Sequence, residues 1–122
     1  MNKQNKTVLI TGASRGLGAN FAKVLSNDGF QIIGVGRNSK HLEDVFSNLP
    51  NPQLNHHFFK VDITNDTEVS QKLSGLNIYG LVNNAGIANT KLLHEESSLD
   101  LSNIFHTNLL GSINVSNALI PN

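Results

Sequence analysis

Thr11-Gly12-Ala13-Ser14-Arg15-Gly16-Leu17-Gly18 joins a short apolar run to a segment of helical period. Glycine is needed where a side chain would clash with a tight turn or with a bound phosphate. Free backbone N–H groups at the helix start then suit a pyrophosphate, aided by the helix dipole. Ser14 and Arg15 add side-chain contacts to phosphate oxygens. Such a turn also serves simply to pack a helix close to a strand. Here strand and helix both sit where binding of a dinucleotide demands.

Three further places carry chemistry. Gly34-Val35-Gly36-Arg37-Asn38 closes the second apolar run, and in a nucleotide-binding fold that strand end lies beside the adenosine ribose. A carboxylate there binds both ribose hydroxyls and repels a 2′-phosphate, whereas a basic residue does the reverse. The chain has no carboxylate at that place, so Arg37 with Arg15 is expected to clamp a 2′-phosphate and to favour NADP(H) over NAD(H). The alternative is that Arg37 is a solvated loop charge. Asp62 follows the third run and is either a ligand contact or the cap of the next helix. Asn108 shares a helical face with Leu101, Ile104, Gly111 and Val115. An amide buried there needs partners, because leaving it unpaired costs a few kcal/mol.

The elements that must position these groups alternate along the chain. Strands are expected at Thr7 to Thr11, Gln31 to Gly36, Phe58 to Val61 and Ile78 to Val82, all nearly continuous in apolar or β-branched residues. That pattern suits strands buried on both faces of a parallel sheet. Leu17, Phe21, Val24 and Leu25 mark a helix stopped by Gly29; Leu42, Val45, Phe46 and Leu49 mark another before Pro50. Asn65, three residues before Glu68, opens a third helix carrying Val69 and Leu73. The last helix is expected from about Ser98 to Leu119, with Pro121 beyond it, and Asn48 to His56 reads as a loop. The alternation implies an α/β, doubly wound parallel sheet.

The turn has the spacing T-G-x-x-x-G-x-G. With Asp62, Asn83-Asn84-Ala85-Gly86 and Thr107-Asn108, it resembles the short-chain dehydrogenase/reductase family, closest in wording to 3-oxoacyl-carrier-protein reductase-like members. The likeness runs through the whole chain, in family order. It implies a Rossmann-like sheet of order 3-2-1-4, with residues 1–122 as the N-terminal NAD(P)-binding portion of a domain stopping before its fifth strand. It also implies that Gly12, Ser14, Arg15, Gly16, Leu17, Gly18, Arg37 and Asn38 contact the cofactor's phosphates and ribose. By the same resemblance, Asp62 and the Ile63 backbone lie by adenine, and Asn84, Ala85 and Gly86 near the adenosine ribose, while Asn83 braces neighbouring strands. Asn108 aligns with the family's catalytic asparagine, which holds a water in a proton relay; a structural amide bonded to a backbone carbonyl is the other reading.

Family chemistry transfers hydride between nicotinamide and a small carbonyl or alcohol, with a tyrosine as general acid/base and a lysine four residues later. The chain has one tyrosine, Tyr79, and Asn83 stands four residues on, so Tyr79 is expected to be structural. The expected function is therefore an NADP(H)-dependent oxidoreductase represented by its cofactor-binding half. A non-catalytic NADP(H)-binding protein, or an interaction module completed by another chain, fits the same residues. An unprotected fourth strand and the last helix leave room for a homo-oligomer.

Composition narrows the classes. The 122 residues suit one small domain, and nine basic residues balance nine acidic ones. That balance argues against a nucleic-acid surface or a polybasic membrane anchor. Eighteen asparagines make amides the main source of polarity, and the absence of cysteine excludes disulfides and zinc thiolates. The apolar runs are too short to span a bilayer, and the N-terminus shows no signal-like stretch, so a cytoplasmic protein is expected.

Overall fold

The structure is a computed structural model and describes residues 6–87 and 92–120. Four parallel strands, β1 (Thr7–Thr11), β2 (Gln31–Gly36), β3 (His57–Lys60) and β4 (Gly80–Val82), form one sheet of order β3-β2-β1-β4. Between and after them run α1 (Gly16–Asn27), α2 (Ser39–Phe46), α3 (Asp66–Leu73), α4 (Ser98–Phe105) and α5 (Ser112–Leu119). The α/β doubly wound parallel sheet and the 3-2-1-4 order follow the expectation.

Alternation along the strands sends side chains into two cores. Val8, Ile10 and Ile32 pack with Ala22 and Leu42, from α1 and α2, on one face. Leu9, Ile33 and Val35 pack with Val69 and Leu73 of α3 and Val115 of α5 on the other. Both faces are thus covered, which is why the strands read as unbroken apolar runs.

Helix ends obey local chemistry. Asn38, Asn65 and Ser97 cap α2, α3 and α4 by accepting the N–H of His41, Glu68 and Asp100 at 3.0, 3.1 and 3.0 Å. Gly29, at φ 100°, ends α1: its N–H reaches the Ser26 carbonyl, and the Phe30 N–H reaches that of Leu25. This paired bonding satisfies the last carbonyls of the helix.

Four boundaries differ from expectation. β3 begins one residue earlier, because His57 pairs with Ile33, and ends at Lys60, opposite the last residue of β2. β4 lacks Ile78 and Tyr79, since its pairing starts where Gly80 meets Val8. A short 3₁₀ turn, Pro52–Leu54, lies in the expected loop. The long last helix contains a π turn, His106–Gly111, between α4 and α5. The widened turn shifts the helical register, so Gly111 and Val115 are buried while Leu101 and Asn108 are exposed. Pro121 lies outside the described residues.

Leu42 is fully buried beneath the sheet. Leu42→Ala is expected to cost about 2–5 kcal/mol, from lost burial plus the cavity left behind. Chemical denaturation measures it; a loss under about 1 kcal/mol would mean that α2 is not docked as described.

Candidate functional site

Where β1 ends, its pairing with β4 has already finished at Ile10 and Val82, and the chain must turn sharply. Gly12 takes φ +65°, and a Cβ there would come within 2.9 Å of the Ala85 backbone. The N–H groups of Gly12 and Ala13 fasten the turn to the Val35 carbonyl at 2.9 and 3.3 Å. One turn into α1, a Cβ on Gly18 would overlap the Gly12 carbonyl oxygen, so this glycine lets helix and turn touch. The helix start leaves backbone N–H groups without intrahelical partners, and Arg15, at the cap position, uses no side-chain atom to cover them.

A cleft of about 510 Å³ opens at this carboxyl end of the sheet. The glycine-rich turn lines it with Gly12, Ser14, Arg15, Gly16 and Leu17; the end of β2 contributes Arg37 and Asn38. Asp62 and Ile63 follow β3, and Asn84, Ala85 and Gly86 follow β4. Twelve of the thirteen expected cofactor residues thus share one concavity; Gly18 is buried beneath the turn instead. Both arginines of the chain stand on it. His41, Thr64 and Ile87 also line it and escaped the sequence reading, and Thr107, read there only as the motif neighbour of Asn108, lines it too. Of the three that escaped, only His41 had a local signal, as the third residue after a capping asparagine.

Asp62 does not cap α3, which Asn65 does. Its Oδ1 instead accepts the Thr64 N–H at 3.0 Å and the Thr64 hydroxyl at 2.7 Å. The Thr64 hydroxyl bond is the main cause that holds its carboxyl below the ordinary value of 3.8, with the Thr64 N–H and the Arg37 charge adding to it against partial desolvation. Asp62 therefore stays ionised on the cleft wall.

The loop after β4 is held by hydroxyl and amide groups. Buried Thr11 accepts the N–H groups of Asn84 and Ala85 on its Oγ1, both at 3.0 Å. The Asn84 side chain donates to the Gly12 carbonyl at 3.3 Å. Asn83 braces α5 rather than the strands, donating to the Ser116 hydroxyl at 3.1 Å. The Asn108 carboxamide does not line the cleft. It pairs with both backbone groups of Ile87, accepting the N–H at 2.7 Å and donating to the carbonyl at 2.8 Å. One N–H and one lone pair of that amide remain for another partner. Its neighbour Thr107 is the residue of the π turn that reaches the cleft.

A family model described as "short chain dehydrogenase" matches residues 6–122. The chain belongs to the short-chain dehydrogenase family. It is 34% identical to a serine 3-dehydrogenase of Rhizobium radiobacter over 121 residues, 94% of this chain and 47% of that protein. A 3-oxoacyl-[acyl-carrier-protein] reductase of Buchnera aphidicola is 31% identical over 128 residues, 100% of this chain and 51% of that one. A solved serine dehydrogenase complexed with NADP+ superposes with a TM-score of 0.84 at 29% identity, covering 94% of this chain and 48% of that one. The chain spans about half the length of the curated relatives it matches.

Tyr79 lies just before β4, at the opposite end of the sheet from the cleft. Its N–H donates to the Thr7 carbonyl at 2.8 Å, its ring stacks on Phe30 at 6.2 Å, and Lys6 Nζ sits 4.3 Å from the ring centre. Among the described residues no cluster of His, Asp or Glu suits a metal ion, and no helix is long and apolar enough to cross a membrane.

Two outcomes follow from this geometry. Thr11→Val keeps the shape but orphans the Ala85 N–H and leaves the Asn84 N–H only the Val82 carbonyl at 3.0 Å; it should cost about 1–3 kcal/mol on thermal or chemical unfolding, with Thr11→Ser restoring most of it. Equal stability of the Val and Ser variants would show that the hydroxyl does not carry the loop. Because Asp62 has a depressed carboxyl in the folded chain, its stabilisation is present above the unfolded value of 3.8 and lost as pH falls through the folded one. Asp62→Asn should flatten that acid limb, read as midpoint against pH.

Proposed function

We propose that this chain binds NADP(H) for a short-chain dehydrogenase reaction, the exchange of hydride with a carbonyl or alcohol carbon. One observation carries the reading: the glycine-rich turn, both arginines, Asp62 and Asn84 to Gly86 line one cleft. The residues fit the group, since at Gly12 and Gly18 the backbone approaches more closely than any side chain allows. The related serine dehydrogenase complexed with NADP+ supports the dinucleotide class.

When bound, the dinucleotide supplies redox chemistry at its nicotinamide ring. The chain's own groups do the holding. Backbone N–H groups at the start of α1 and the Ser14 side chain receive the pyrophosphate. Leu17 covers that end as an exposed apolar group, and Arg15 and Arg37 supply guanidinium forks for a 2′-phosphate. Asp62, kept ionised by Thr64, accepts the adenine amino group, with Ile63 beside the ring. Asn38, whose side-chain oxygen is committed to the His41 N–H, contributes wall rather than a free acceptor. Asn84, Ala85 and Gly86 set the floor under the ribose. Asn108 acts through Ile87, fixing the loop at the cleft mouth. Tyr79 supplies no proton here, being at the far end of the sheet, so the described residues account for holding the cofactor.

The test is a titration of the purified chain with NADPH and NADH, followed by fluorescence and by thermal midpoint. NADPH is expected to bind more tightly. Arg37→Asp should weaken NADPH by about 10- to 100-fold, the worth of one charge-assisted contact, and leave NADH unharmed or improved. Equal binding of the two dinucleotides by the unaltered chain would sink the 2′-phosphate assignment.

A further inference from the structure

His41 stands in the first turn of α2, where its backbone N–H is spent on the Asn38 cap at 3.0 Å. Its side chain is exposed and lines the cleft together with Arg37, four residues earlier, and Arg15 from the start of α1. The ring has no hydrogen-bond partner among the described residues. A neutral imidazole offers a phosphate one N–H, whereas the imidazolium offers two and a charge.

We infer that His41 is a specificity-determining residue for the 2′-phosphate, strengthening the arginine pair when protonated, so that selectivity for the phosphorylated dinucleotide rises as pH falls. This rests on the NADP(H) reading above. The surrounding charges do not imitate the effect. Arg15 and Arg37 stay charged throughout. Asp62 on the facing wall is held ionised by Thr64 and Arg37. Lys40, Glu43 and Asp44 are the other charged groups on α2 itself, and amino and carboxyl side chains are not the types whose ordinary values fall between about pH 6 and 8. His56 and His57, at the start of β3, lie at the opposite end of the sheet. Imidazole is the group that ordinarily gains a proton in this interval. The 2′-phosphate itself takes its second proton near pH 6, so above that it remains largely dianionic. Binding the dianion favours the imidazolium and draws a proton from solvent.

The experiment measures dissociation constants for NADPH and NADH, and for 2′,5′-ADP and 5′-AMP as probes of the adenosine end alone, at about pH 8 and about pH 6.5. In the unaltered chain the preference for the phosphorylated member of each pair should rise roughly 3- to 10-fold on acidification. His41→Gln should hold the preference constant at its lower value, and His41→Lys should hold it high at both pH values. A His41→Gln chain that keeps the full pH response overturns the inference, as does a preference in the unaltered chain that does not move with pH; in both cases the NADP(H) reading survives. No preference for NADPH at either pH overturns that reading and this inference with it.

Discussion

Parallel strands that lose their partner at the carboxyl end of a sheet leave backbone N–H groups pointing into a gap, and water-free gaps do not tolerate them. Here the gap opens between β1 and β4, just past the pairing of Ile10 with Val82. The Thr11 hydroxyl closes it by taking two N–H groups of the loop after β4. Everything on the cleft floor depends on that closure. It brings Ala85 against Gly12, which is why Gly12 has no room for a side chain, and it lays Asn84 across the Gly12 carbonyl. A glycine-rich turn and an Asn-Asn-Ala-Gly loop, 72 residues apart between Gly12 and Asn84, become one surface through the Thr11 hydroxyl and the Asn84 amide.

Neutral amides do the same work elsewhere around the cleft. Asn114 of α5 donates to the Ile63 carbonyl at 2.9 Å, and a Cβ on Gly111 would run into the Ile63 side chain. The helix therefore grips the loop after β3 by a hydrogen bond and by close packing together. Asn83 ties the end of β4 to the same helix. Amides bond backbone in either direction without introducing charge, so the side chains of the frame add no net charge of their own. The charge at the cleft comes from Arg15, Arg37 and Asp62, the groups that would meet a charged or polar ligand. A nearly neutral chain rich in asparagine is thus consistent with a site whose electrostatics are set by a few residues.

Strand positions were legible because burial on both faces leaves an unbroken apolar signature, and β1 and β2 fall where that signature begins and ends. β3 and β4 slipped by one or two residues, because their ends are set by where β2 and β1 stop pairing, which no local pattern encodes. The caps at Asn65 and the stop at Gly29 were legible, being made within a few residues. The cleft wall was legible where a motif carried it. Thr64 was not, since it reaches the cleft only through the way Asp62 bends the loop; Thr107 was legible as the motif neighbour of Asn108, but its place on the wall depends on the π turn. Asn108 is the instructive case: its helical spacing suggested an amide on a buried stripe, and the extra residue of the π turn took it off that stripe.

That widened turn links the last helix to the cleft. Asn108 and Gly111 both belong to the π turn His106–Gly111 and make different contacts. The π turn permits both: Gly111 and Val115 seat the helix on the second core, and Asn108 reaches the loop after β4 with both ends of its amide. Such insertions weaken a helix locally, and they persist where neighbouring contacts over-determine them. Here the contacts are the two Ile87 bonds on one side and the packed Gly111–Ile63 approach on the other. The loops after β3 and β4, which form two walls of the cleft, are therefore held by one helix through adjacent turns, so displacing that helix would move both walls together.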